Sequence, residues 1–165
     1  MPDNKGNLYL FEAVELRNEY DRHIKLIERL LGFDDEESEP VEGFNPKELE
    51  DRLKKLKSKR IKLNQAIQLS NYETEIDYDG EKISIAEALE IRKSLIDDNK
   101  ILAQRVTDSA YKRVIHKEER DIILEPKYSF VRTYDDFQNT LKRLRQLITH
   151  IHIANHQNIV KFKDE

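Results

Sequence analysis

The 165-residue chain has no cysteine, only four glycines and four prolines, and no long hydrophobic run. Without cysteine there can be no disulfide, thiol nucleophile or thiolate metal site. The glycines are scattered, so no glycine-rich loop is available to wrap a phosphate, and no serine sits in a Gly-x-Ser-x-Gly elbow. None of the five histidines stands three residues after a glutamate, which removes the ligand spacing of a di-iron helical bundle. Nowhere do about 18 apolar residues run together. The opening Met1-Pro2-Asp3-Asn4-Lys5-Gly6 lacks the basic start and apolar stretch of a secretion signal. A cytoplasmic protein that does not span a membrane is expected, and these gaps argue against an enzyme and against a cofactor or metal.

What the chain does have is charge. Asp, Glu, Lys and Arg make up 38% of it, and the mean hydropathy is −0.80, a balance that suits long helices with one face in water. The net charge of −4 does not favour nucleic acid or anionic membrane as a partner. The length allows one domain with a real core.

The sequence also contains one helical opening twice. Residues 8–17, Leu-Tyr-Leu-Phe-Glu-Ala-Val-Glu-Leu-Arg, align without a gap on residues 83–92, Ile-Ser-Ile-Ala-Glu-Ala-Leu-Glu-Ile-Arg, at an offset of 92 − 17 = 75. Downstream, Leu63, Ile67, Leu69 and Asn71 match Leu147, Ile151, Ile153 and Asn155 at an offset of 155 − 71 = 84. A unit of two helices that cannot bury its apolar face alone accounts for both matches. The expected fold is mostly α: a single domain of two repeats, about residues 8–76 and 83–160. Each repeat is an antiparallel pair of long helices in a bundle or coiled-coil-like arrangement, with a small β-hairpin after the first pair and a short C-terminal strand in its place after the second.

Local signals place the elements. Apolar residues from Leu10 through Tyr20, Ile24, Ile27 and Leu31 recur every three or four positions, and Gly32 ends that helix. The acidic stretch 34–43 reads as a loop, and Asn45-Pro46 as the cap and first position of a second helix through Ile67. The lysines and arginines at 54–62 read as its solvated face. Asp79-Gly80 predicts a hairpin turn between two β-compatible runs, and Ser84 three residues before Glu87 predicts a capping box opening a third helix. That helix should fade between Asp108 and His116. Residues 121–132, apolar and aromatic around Pro126, read as an extended arm, with a fourth helix starting at 133–136 and a short strand at 159–162.

Polar residues fall on the apolar stripes. Steps of three and four place Arg17 among Ala13, Tyr20 and Ile24, and Arg92 among Ala88, Leu95 and Asn99. The partner helices bring Asn64, Asn71 and Asn155. A guanidinium there needs carboxylate or carbonyl partners, for which Glu12, Glu15, Glu87 and Glu90 are candidates. Two readings stand side by side: a buried polar network that fixes helix register and assembly, or a twice-repeated cleft that binds an anion or small ligand. His150, His152 and His156 lie near a helix C-terminus, a setting that suits surface histidines better than a metal site.

The motifs at 12–17, Leu63 to Asn71 and Leu147 to Asn155 resemble those of a small bacterial family, largely uncharacterised, in which some members carry the label septicolysin. The resemblance covers nearly the whole length. It implies the helical architecture and no established activity, and the sequence departs from the family pattern with His156 where a tryptophan is associated with it. No segment of the chain has the apolar length that the cytolysin label would need for insertion. The function expected is a non-catalytic, homo-oligomeric helical scaffold or interaction protein, with a ligand-binding protein or enzyme using the Arg/Glu/Asn cleft as the alternative.

Overall fold

A computed structural model describes residues 6–33 and 39–163; residues 34–38 of the acidic loop lie outside it. The described elements are β1 (Asn7–Tyr9), α1 (Leu10–Leu31), α2 (Pro46–Glu73), β2 (Glu75–Tyr78), β3 (Glu81–Ser84), α3 (Ile85–Ser109), β4 (Arg113–His116), β5 (Asp121–Leu124), α4 (Phe130–Gln157) and β6 (Ile159–Lys161). The fold is mostly α, with small antiparallel strand pairs.

Side chains and turns set the boundaries. The Gly32 N–H closes α1 on the Glu28 carbonyl at 2.9 Å. Asn45 Oδ1 accepts from the Lys47 and Glu48 N–H groups at 3.1 and 3.3 Å, satisfying two of the orphan donors at the start of α2. Asp79 and Gly80 take φ of 51° and 85°, the positive values a tight two-residue hairpin turn requires. Ser84 Oγ accepts from the Glu87 N–H at 3.1 Å and opens α3.

The repeat extends over whole elements. Adding 84 carries both ends of α2, Pro46 and Glu73, onto Phe130 and Gln157, the ends of α4. Burial follows the same offsets: Leu10, Ala13 and Tyr20 correspond to Ile85, Ala88 and Leu95, and Leu63 and Ile67 to Leu147 and Ile151, all buried. Strand register obeys them as well. Leu8 faces Val160 across β1–β6, and Ile83 faces Ile76 across β2–β3, so 8 + 75 = 83 and 160 − 84 = 76. Each repeat is therefore a strand, two helices and a strand, and the last strand of each pairs with the first strand of the other.

The chain divides into two compact units, residues 1–74 with 153–165, and residues 75–152. In the first, α1 and α2 pack along each other and β6 lies beside both. Its core holds Leu10, Ile24, Ile27, Leu63, Ile67, Ala154 and Val160. In the second, α3 rests on the β2–β3 hairpin, and Ile76, Ile83, Ile85, Ala88, Leu95, Leu147 and Ile151 are buried. The α3 and α4 backbones stand farther apart than those of α1 and α2.

The structure departs from the sequence reading at three places. α3 ends at Ser109, inside the expected range, and residues 113–124 then form a second hairpin, β4–β5, so the segment read as an extended arm over 121–132 begins as a paired strand. α4 begins at Phe130, three residues before the expected range, and Thr133 is already bonded to the Ser129 carbonyl at 3.0 Å. The N-terminal strand β1, which pairs with β6, was not expected at all.

Candidate functional site

The seam between α1 and α2 gathers the polar residues of the first unit. Arg17 Nη1 donates to Asn64 Oδ1 at 3.2 Å. One turn further on, Arg60 grips Asp21 as a fork, Nε to Oδ1 at 2.9 Å and Nη2 to Oδ2 at 3.4 Å. Lys57 Nζ lies 2.6 Å from Glu28 Oε1. As the α1 number rises the α2 number falls, as antiparallel helices require. All these residues except Lys57 and Glu28, which are more exposed, are half-buried.

The Arg60 hydrogen bond holds the Asp21 carboxyl below its ordinary value of 3.8, with the charges of Arg60, Arg17 and Lys25 acting in the same direction. A carboxylate whose folded pKa is depressed adds stability above the unfolded pKa, and that stability is lost as pH falls through the folded value. Asp21→Asn should therefore lower the urea midpoint at pH 7 and leave it nearly unchanged well below pH 3.8. The side chains are 38% and 37% exposed, so the neutral-pH difference should stay at or under about 1 kcal/mol. An equal loss at both pH values would show that the pair acts through packing rather than charge.

The second unit keeps none of these pairs. At the same offsets, Arg17 and Asn64 become Arg92 and Ile148; Asp21 and Arg60 become Ile96 and Leu144; Glu28 and Lys57 become Ala103 and Leu141. Arg92 is half-buried and, among the described residues, makes no hydrogen bond or ion pair. Without crosslinks the seam loosens. Ile27 of α1 is 1% exposed, while its counterpart Leu102 is half-buried, and Ile96 and Leu141 are 39% and 44% exposed. A cavity of about 260 Å³ lined by Asp98, Ile101, Leu102, Arg105 and Thr140 lies in this region. Asn99, where α1 has Ile24, is buried with Nδ2 donating to the Leu95 carbonyl at 3.2 Å and Oδ1 without a partner.

The expected Arg/Glu pairs do not form among the described residues. Glu12 Oε2 accepts from the Tyr9 N–H at 2.8 Å, so this carboxylate caps α1 instead of reaching Arg17. Glu87 stands at the equivalent third position of α3, exposed, its N–H bonded to Ser84. Both glutamates lie one turn inside a helix start, where orphan N–H groups and the helix dipole attract them. Asn71 is buried and Asn155 half-buried, and no hydrogen bond joins either to an arginine. The next residue, His156, packs on Phe11 with ring centroids 4.5 Å apart. Arg17 and Asn64 are thus brought together, while Glu12, Glu87, Arg92, Asn71 and Asn155 stand apart from them. The missed pair, Asp21 and Arg60, was within reach: each lies four residues from a member of the Arg17–Asn64 bond, on the same faces.

A larger cavity, about 450 Å³, opens at the base of the β4–β5 hairpin between Ser109, Lys112, Glu125, Lys127, Tyr128 and Phe130. Arg105 and Lys127 lie 5.0 and 5.5 Å from the Tyr128 ring centroid. Among the described residues no group of three His, Cys, Asp or Glu could hold a metal ion, and no helix is long and apolar enough to cross a membrane.

Compared with known proteins, the chain matches no family model and no curated protein. It is similar in structure to a functionally unknown conserved protein from Corynebacterium diphtheriae, with 22% identity over 93% of this chain and 99% of the other and a TM-score of 0.74, a likeness that establishes the fold and nothing about activity.

Proposed function

We propose that the protein is a self-associating helical scaffold that works through surfaces rather than through a reaction centre. The observation that carries this reading is the set of large apolar side chains that the described helices leave in water.

Ile101, Leu124, Phe130, Val131 and Leu141 are all at least 43% exposed in the second unit, as are Leu26, Ile61 and Leu69 in the first. Two of these are kept by the repeat: Leu26 and its equivalent Ile101 are 51% and 52% exposed, and Leu69 and Ile153 are 58% and 49% exposed. Single exposed apolar residues are common on any protein, but groups of them on long helices mark contact surfaces.

Light scattering on the purified chain at tens of micromolar tests the reading. A mass at a whole multiple of 19.7 kDa, two or more, is the expected result. A monomer at every concentration up to that range would overturn it.

A further inference from the structure

We propose that two copies of the chain exchange repeats, residues 6–78 of one pairing with residues 81–163 of the other, and that the Asp79-Gly80 turn under Arg143 is the latch that opposes it. This association is separate from contact through exposed apolar surfaces, because every exchanged contact is one that a single chain already makes.

The repeats are interleaved within one chain. β6 ends the second repeat yet lies beside α1 and α2 of the first, where Val160 is 1% exposed. β2 ends the first repeat yet lies beside α3 of the second, where Ile76 is 8% exposed. Each repeat therefore takes its missing strand from the other. The two strand pairs are equivalent by the offsets that relate the repeats, but only one of them has a turn. β2 and β3 are joined through Asp79 and Gly80. β1 and β6 come from opposite ends of the described chain, and still pair over three residues, with the Phe162 N–H reaching on to the Gly6 carbonyl at 3.0 Å. The pairing thus forms between strands that no turn connects, and the same recognition serves a repeat on a second copy.

What favours the closed chain is a short turn held from outside. Asp79, with φ of 51°, is the one residue other than glycine at a positive φ among the described residues. Gly80 has φ of 85°, and a side chain there would meet open space, so only the backbone angle opposes one. Arg143 of α4 donates from Nη2 to Tyr78 Oη and to Asp79 Oδ2, each at 3.1 Å. If these two residues straighten, β2 runs on into β3 as one long strand. Two such strands pair antiparallel with the β2–β3 register unbroken, Asp79 facing Gly80 of the partner subunit. Exchange of this kind through a short hinge is a low-cost route to a dimer.

The absence of native cysteine makes the test direct. Asn7 faces Lys161 across β1–β6, so Asn7→Cys with Lys161→Cys places a disulfide across that pair. In the closed chain it forms within one molecule, and a denaturing, non-reducing gel shows 19.7 kDa; in the exchanged pair it links two molecules and shows twice that mass. Association through outer surfaces leaves the disulfide inside each chain. The double-cysteine chain is unfolded in reductant, refolded at a series of concentrations up to tens of micromolar, then oxidised. A covalent dimer whose share rises with refolding concentration is expected. Arg143→Ala should raise that share a few-fold at most, as loss of an exposed pair does. Gly80→Val should raise it roughly tenfold or more, because valine is strained at positive φ and at ease in an extended strand. A 19.7 kDa band alone at every concentration, in the native-turn and the Arg143→Ala chains alike, overturns repeat exchange even if Gly80→Val does not refold. So does a dimer band that either single-cysteine chain gives as readily. In both cases the surface reading stands or falls by light scattering on its own.

Discussion

Truncating Leu63 or Leu147 to alanine is expected to destabilise the chain by about 2 to 5 kcal/mol in each case, the range for removing a buried leucine and leaving a cavity. The two residues occupy the same place in the two repeats and both are 0% exposed. The transfer free energy lost is therefore the same, and any difference must come from how far the surroundings collapse into the space. Leu63 sits in a seam held by the Asp21–Arg60 fork and the Arg17–Asn64 bond. Leu147 sits where the matching positions carry no crosslink and the helices already stand apart. A site free to relax fills part of its cavity, so Leu147→Ala should fall toward the lower end and Leu63→Ala toward the upper. Urea unfolding of both variants at one fixed protein concentration checks this, because any self-association shifts apparent stability by mass action. Losses under about 1 kcal/mol would show that these leucines are not core residues. A reversed order would show that the crosslinks do not stiffen the first seam.

Much of this fold could be read in the sequence because its signals are local. Gly32, Asn45-Pro46, Asp79-Gly80 and Ser84 each satisfy or redirect a specific backbone group, and each boundary they predicted is present. The repeat was legible because two helices doing the same packing job keep the same apolar spacing. What was missed depends on partners far away in sequence. β1 is three residues merged into the apolar run that begins α1, and it is a strand only because β6 returns to it. The β4–β5 hairpin turns through Lys117-Glu118-Glu119-Arg120, which carries none of the glycine or asparagine that marks a tight turn. Its ends are tied by His116 Nδ1 to Asp121 Oδ1 at 2.8 Å, a contact visible only once the register is known.

The polar residues follow the same rule. Helical spacing placed Arg17 and Arg92 on the inner side of their helices, where both are half-buried, but spacing does not name a partner. Of the glutamates nearest in sequence, Glu12 answers a local demand, the Tyr9 N–H at the start of its own helix, while the Glu15 carboxylate accepts from Asn18. Arg17 found an amide on the antiparallel helix, and the position equivalent to that amide in the second repeat is Ile148. The asymmetry between the repeats lies in these substitutions, and the opening of the second seam follows from them.

Asn99→Leu is expected to stabilise the chain by about 1 to 3 kcal/mol, the cost of an amide oxygen held in the interior without a donor. Asn99 is 9% exposed; its Nδ2 reaches the Leu95 carbonyl while Oδ1 meets nothing. Leucine repeats the branching of asparagine at Cγ, so the change removes the polar atoms with little change of shape and little of the strain that a bulkier side chain would bring. The first repeat already carries the apolar solution at this position, where Ile24 is buried to the same 9%. Retaining a destabilising amide on the inner stripe is characteristic of a residue that selects one helix register over another, as a lone asparagine does in a coiled coil. Two readouts separate the roles. Higher stability with an unchanged mass would mean that the amide is only a cost to folding. Higher stability with a broader or shifted mass distribution would place Asn99 among the residues that decide how α3 and α4 open and which copies they accept. Lower stability would mean that Oδ1 is satisfied in solution by a bound water, and that the interior around Asn99 is wetter than its 9% exposure implies.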